Sequence, residues 1–504
     1  MVRDLRLVPL WLTLVLQVAA CGGGAGTSNP GGSGAGGRAG SAGGGVVGRK
    51  TGQGGSGGMS GTPSGGDSGA RGSDPIPADG GPSSDAAVAA DGPSPADGGN
   101  LPDGAVDNPT GKLIWPNEES SKNSDPWLVA NHTKIEEMHP RFLIIDFANR
   151  FTDAQVIARF NLHKEALMEG SRYHGYKDPD AKPFMIWELF KHASLKDDPI
   201  PPNAVSRNSS KMPRRNGGID FGALFSQEYA DLYQIPDPAN AGRFMKICDL
   251  FNAGLVNDIL VAFEKAPPDD NVPEVLELHQ VYDANDVKIP GRFDPYAGNG
   301  SWGPGDVEKV AECGRSVRLN FLEMTGNLTN AMEVLGHNFE HIGQRAMPRF
   351  YAMFKPFANF DLDRRIGTPF SDWYEVCQYG APCLAYPDSN SVTIPGGATI
   401  KPFDQGCGNA HFPPNGRRHY DKANTQEVLS TCEHYGLRDG PDGRDIQTPY
   451  SVRTLDRWRN HPVARAMPGG AWFLYWWQSW PGYGNQAKMP DGTPMKNWWV
   501  YLYY

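Results

Sequence analysis

The chain has 504 residues, of which 39% are hydrophobic, with 62 glycines, 43 prolines and a formal net charge of −10. An acidic balance of this size argues against nucleic acid or anionic lipid as the main electrostatic partner. The glycine is concentrated near the start, so the packed part is shorter than the chain.

The first residues read as an address. MVRDLRLVPLWLTLVLQVAAC has a charged start (Arg3, Arg6), an apolar run from Leu7 to Leu16, and small residues before Cys21. The run is too short for a permanent transmembrane helix, and it has the layout of a secretory signal. Val18-Ala19-Ala20-Cys21 resembles the lipobox of bacterial lipoproteins. That resemblance implies that Cys21 is acylated through sulfur and becomes the mature N-terminus. Gly22 follows where an aspartate would resemble an inner-membrane retention signal, so a lipid anchor in the outer membrane or at the cell surface is the expected location. Residues 1–21 are thus expected to be a signal peptide.

Residues 22–110 are mainly Gly, Ser, Ala, Pro and Asp, with almost nothing large and apolar to bury. Such a segment does not offset its ordering entropy and is expected to be a disordered tether. Its Gly/Ser-rich first half reads as a flexible coil, and its second half, with repeats such as PADGG, as a stiffer one. Residues 111–504 then form the folded part. They hold every tryptophan except Trp11 and carry −7 of the charge. They also hold the six cysteines after Cys21, enough for three disulfides in an oxidising compartment. Fifteen pairings are open, and Cys377 with Cys383 is one that closes a short loop.

In chain order, RFLIIDFANRF (141–151) opens with an unbroken apolar run that suits a strand buried on both faces. Residues 153–169 carry helical spacing in Val156, Ile157, Phe160 and Leu167. PFMIWELF (183–190), VPEVLELHQVYD (272–283) and SVRLNFLEM (316–324) read as strands, and LFNAGLVNDILVAFE (250–264) as a helix. The alternation predicts an α/β domain with a mostly parallel sheet and flanking helices. From about Pro356 onward a loop-rich, aromatic region is expected to pack over it.

GNLTNAMEVLGHNFEHIGQR (326–345) is the most informative helix. At about 100° per residue, Ala331, Leu335, Phe339 and Ile342 share one side, and Glu333, His337, Glu340, His341 and Gln344 the other. His337-x-x-Glu340-His341 matches the H-x-x-E-H pattern of inverzincin proteases. Imidazoles four residues apart can share one zinc, and a neighbouring glutamate can act as general base on its water. Nothing else resembles that protease family, so its fold and third ligand are not expected here. The second concentration is CGNAHFPPNGRRHYD (407–421), in which prolines stiffen the loop that carries His411.

RFLIIDFAN, GHNFEHIGQR, GNAHFPPNGRRHYD and the closing NWWVYLYY together resemble a secreted family of unassigned activity. The resemblance spans the folded part and implies a shared site at His337, Glu340, His411, Pro413, Pro414 and Asn415, without naming a chemistry. His341 falls outside that common pattern.

The expected function is a surface-tethered, metal-dependent hydrolase of extracellular material, with polysaccharide or peptide as the ligand class. His337 and His411 would bind a divalent metal, zinc by preference. Glu340 would be the catalytic base or a ligand. Asp146, His341 and Asp421 are candidate further ligands or hydrogen-bond partners of ligands. The alternative is a non-catalytic carbohydrate-binding or structural protein of the cell surface, using Trp472, Trp476, Trp477, Trp480, Trp498 and Trp499 either as sugar platforms or, more plainly, as core. A third reading, a metal-free glycosidase, would need a carboxylate pair such as Glu188 and Glu323. No nucleotide-binding glycine loop and no G-x-S-x-G elbow occur in usable context, so no nucleotide cofactor is expected.

Overall fold

The computed structural model describes residues 111–120, 124–199, 207–215, 218–265, 272–298, 302–303, 305–325, 328–361, 377, 382–466 and 469–504. The signal segment with Cys21 and the tether at 22–110 lie outside these residues. Among the described residues, no helix is long and apolar enough to cross a membrane.

The core is one six-stranded sheet. Its strands are β1 (Arg141–Asp146), β2 (Glu188–Ser194), β3 (Asp258–Phe263), β4 (Val275–Tyr282), β5 (Lys288–Gly298) and β6 (Val317–Glu323), in the spatial order β2-β1-β3-β6-β4-β5. The pairs β1·β2, β1·β3 and β3·β6 are parallel, and β6·β4 and β4·β5 are antiparallel. The α/β class and mostly parallel sheet expected from the strand–helix alternation are therefore present. Every residue of β1, β3 and β4 is buried, which is why β1 and β3 carry nearly unbroken apolar runs, while β4 buries Glu277, His279 and Gln280 among its apolar residues.

Helix α1 (Asp153–Gly170) starts at Thr152, which forms a capping box with Gln155. Helix α2 (Leu328–His341) follows β6 almost directly and continues into a π-helical turn at Ile342–Ala346. Helix α3 is Pro348–Phe357, and α4 is Gly470–Gln478.

The segment 250–264, expected as a helix, is instead a helix end, a turn and a central strand. The helix Ile247–Asn252 stops before Gly254, which adopts φ +68°, and β3 begins at Asp258. A left-handed glycine just past a helix is a stop signal. The apolar run after it fits a fully buried strand as well as a helix. The strand expected at 183–190 lies later, at Glu188–Ser194. Its half-exposed pattern is that of the sheet's edge. Strand β5 was not legible, because Pro290, Gly291 and Pro295 interrupt it. Prolines are confined to such edges because they cannot donate to a ladder.

The aromatic C-terminal region packs against α2. Phe339 meets Trp480 at 4.1 Å and Trp499 at 5.6 Å between ring centroids. Trp472, Trp476, Trp477, Trp480, Trp498 and Trp499 are all buried, so they are core and present no sugar platform. Three disulfides, Cys248–Cys313, Cys377–Cys383 and Cys407–Cys432, use all six remaining cysteines.

Candidate metal centre

The site forms where the polar side of α2 meets the loop around His411. Helical spacing sets the first half. Glu333, His337 and Glu340 lie at positions i, i+4 and i+7 and so share a face. Leu335, Phe339 and Ile342 fill the core opposite. Gly336 allows the close approach: a Cβ there would lie 3.0 Å from Trp476 and 3.2 Å from the Cβ of Ala410.

The loop supplies the second half and is rigid for specific reasons. The Asn409 side-chain oxygen accepts from the backbone N–H groups of His411 (3.0 Å) and Phe412 (3.1 Å). Gly408 sits at φ +96°, and a Cβ on it would lie 2.1 Å from the carbonyl oxygen of Phe412. The Gly408 carbonyl accepts from Trp476 Nε1 at 3.0 Å, and Cys407 is bonded to Cys432. Asn415 donates to the carbonyls of Asn424 and Gln426. Each of these hydrogen bonds uses a residue of the GNAHFPPN stretch, which explains that composition locally.

Together these elements converge on three ligand-capable atoms. His337 Nε2 and His411 Nε2 are 3.1 Å apart. Glu333 Oε1 lies 3.1 Å from His411 Nε2 and 3.6 Å from His337 Nε2. Ligands at about 2.0–2.1 Å from a tetrahedral zinc are separated by roughly 3.3–3.4 Å. The triangle is therefore close to one face of such a polyhedron, and Glu333, His337 and His411 can hold a metal ion.

Behind the triangle, Glu340 accepts from His337 Nδ1 at 2.9 Å through one oxygen and from the Ala410 backbone N–H at 3.1 Å through the other. Carboxylates that grip the far nitrogen of a metal-binding imidazole fix its tautomer and orientation. In front, the Tyr420 hydroxyl donates to Glu333 Oε1 at 2.6 Å, and its ring lies 4.8 Å from that of His411.

The three groups of the triangle perturb one another strongly. Burial acts to lower the His337 pKa, but hydrogen bonding to Glu333 and Glu340 and their charges outweigh it, and the ring is held well above its usual value. Burial acts to raise Glu333, yet its bonds to His337 and His411 hold it below the carboxylate range. His411 is lowered, by burial first and also by the charge on His337. The two carboxylates beside His337, Glu333 and Glu340, therefore favour positive charge at this ring.

The structure brings His337, Glu340 and His411 together, as the sequence implied. Glu333 completes the set. It lies on the polar side of the helix, four residues before His337 and outside the H-x-x-E-H pattern, which singles out Glu340. Tyr420 had no signal beyond its place in the GNAHFPPNGRRHYD stretch. The remaining candidates are engaged with other partners. Asp146, at the carboxyl end of β1, meets His192 Nε2 at 3.1 Å and Lys196 Nζ at 2.8 Å. With Asp153 and His192 it forms a second group of possible ligands, but the Lys196 ammonium already bridges its two aspartates. His341 stacks on Tyr296 at 3.5 Å, and its ring is 6.4 Å from that of His337. Asp421 is paired with Arg417 at 2.6 Å. Glu188 opens β2 and Glu323 closes β6 in the parallel part of the sheet, so that carboxylate pair lies at opposite strand ends.

No family model, no curated protein and no solved structure matches the chain.

Proposed function

We propose that this protein is a lipid-anchored, metal-dependent hydrolase acting on extracellular material. The observation that carries the reading is the triangle of Glu333 Oε1, His337 Nε2 and His411 Nε2, backed by a buried carboxylate. Two imidazoles and a carboxylate form a donor set suited to zinc with one position left for water or substrate. When bound, zinc supplies an acidified water and a Lewis acid for a carbonyl or phosphoryl oxygen.

The chain's own groups then divide the work. His337 and His411 are the nitrogen ligands, and Glu333 is the oxygen ligand. Glu340 orients His337 and ties it to the His411 loop through Ala410; with both its oxygens in use, it serves as a positioning residue. Tyr420 is partly exposed and holds the Glu333 carboxylate from the open side. The lipobox-like end at Cys21 and the 22–110 tether would keep this site near a membrane while letting it reach extended substrates. Resemblance to a secreted family supports the compartment, as do three disulfides.

The test uses purified full-length protein and a panel of chromogenic carboxylic esters, peptides, glycosides and phosphoesters. Hydrolysis of at least one class is expected, abolished by a chelator, restored by added zinc and absent in His411→Ala. Chelator-resistant turnover, or turnover retained in His411→Ala, would contradict the assignment.

A further inference from the structure

Lys422 follows the His411 loop, and its ammonium lies over two aromatic rings. Its ammonium lies 4.1 Å from the ring centroid of Phe473 and 5.3 Å from that of Tyr420. The turn that places it there has Tyr420 at φ +61°, with the Lys422 N–H donating to the Tyr420 carbonyl at 2.7 Å. Tyr420 is the residue whose hydroxyl reaches Glu333. The ammonium is therefore one aromatic side chain away from the ligand triangle.

Among the described residues, no carboxylate lies at ion-pair distance from Lys422. Glu333 is the acid whose charge acts on it, opposing a burial that pushes the ammonium down to about 8. That carboxylate is already shared by two imidazoles and a phenol, and a bound metal would use its charge. A partly buried cation left without an anion is costly, and aromatic rings recover only part of the loss. A snorkelling lysine would direct its head to water and cover apolar surface with its stem. Here the head itself is stacked on the rings, one of which belongs to the Tyr420 that reaches Glu333.

We propose that Lys422 is the anion-binding residue of the Glu333–His337–His411 centre, and that the substrate carries an anionic oxygen group, carboxylate or phosphate, within reach of its ammonium. This deepens the hydrolase reading and rests on it for the role of the anion. The charged group would lie beside the Tyr420 ring, which touches both Lys422 and His411, within reach of the ammonium. The substrate class narrows to acidic molecules: phosphoesters, or acyl compounds with a neighbouring carboxylate.

The experiment measures binding of inorganic phosphate and of acetate to zinc-loaded, full-length protein by calorimetry, with zinc content and thermal midpoint recorded for each variant. Wild type should bind at least one of the two, and the tighter anion identifies the group. Lys422→Met, which keeps the stem against Phe473, should weaken that binding by about tenfold or more, the usual loss for a hydrogen bond to a charged group. Its zinc content and midpoint should stay unchanged. A second measurement needs no variant: the tighter anion should protect Lys422 selectively from acetic anhydride in the native protein, read by mass spectrometry. Wild-type affinity in Lys422→Met, absence of protection, or failure of wild type to bind either anion would overturn the proposal. Absence of zinc from wild type would instead sink the hydrolase reading, and the anion titration of the metal-free protein would still decide Lys422.

Discussion

Substituting Glu340 by Gln isolates the carboxylate behind the metal site while keeping its shape. In the wild type, its two oxygens accept from His337 Nδ1 at 2.9 Å and from the Ala410 N–H at 3.1 Å. An amide offers one oxygen and one NH2, so one of these two donors must face another donor. Leaving a buried donor unpaired costs about 1–3 kcal/mol. If the amide oxygen stays on His337, the His411 loop loosens at Ala410; if it turns to Ala410, His337 loses its tautomer. Either way the ligand triangle is held less firmly, and loss of such a partner typically weakens metal binding by about 10–100-fold. The assay is competition for zinc against a chromophoric chelator, with thermal unfolding of the metal-free protein as a check on the fold. A zinc affinity equal to wild type in a folded Glu340→Gln protein would refute the argument that this carboxylate positions His337.

Three further outcomes follow from the same physical account. Gly408→Ala should cost roughly 2 kcal/mol or more and lower zinc affinity, since it places a Cβ 2.1 Å from the Phe412 carbonyl at φ +96°; a denaturant midpoint equal to wild type would contradict this. Burial holds His132 and His163 near pKa 3, and unfolding returns them to about 6.5. Their contribution is complete above pH 6.5 and declines toward pH 3 by about 1.4 kcal/mol per unit for each ring. The two rings should therefore contribute a loss of roughly 3 kcal/mol between pH 6.5 and 5.0, read by chemical denaturation as the difference in pH dependence between wild type and a folded His132→Asn, His163→Leu double variant; equal pH dependence in the two proteins would show that these rings are not buried neutral. Cys21→Ser should abolish palmitate labelling and release the protein from the membrane fraction of a bacterial host; labelling that persists would remove the lipoprotein assignment.

Legibility followed burial and local spacing. Strand β1 was readable because both its faces are buried, which leaves an unbroken apolar run, and α1 because one face is buried at helical period. Strand β3 was not, because DILVAF satisfies either reading and the deciding residue, Gly254, is a single left-handed glycine. At the site, His337 and Glu340 could be read from one helix and His411 from its proline-stiffened loop. Glu333 was present on the same face, but its role depends on which way the loop approaches. That approach is set by Gly336, by Trp476 and by the Asn409 turn, contacts that join residues far apart in the chain. Lys422 and Tyr420 were hidden for the same reason: their place beside Glu333 follows from the left-handed turn at Tyr420.

The central claim is that Glu333, His337 and His411 hold a single metal ion, and elemental analysis of the purified protein addresses it most directly. Full-length wild type, exposed to zinc and then exhaustively dialysed, should retain one zinc per chain, and folded Glu333→Gln, His337→Ala and His411→Ala should each lose it. Wild type that retains no metal, or a His411→Ala protein with undiminished zinc, would contradict the account.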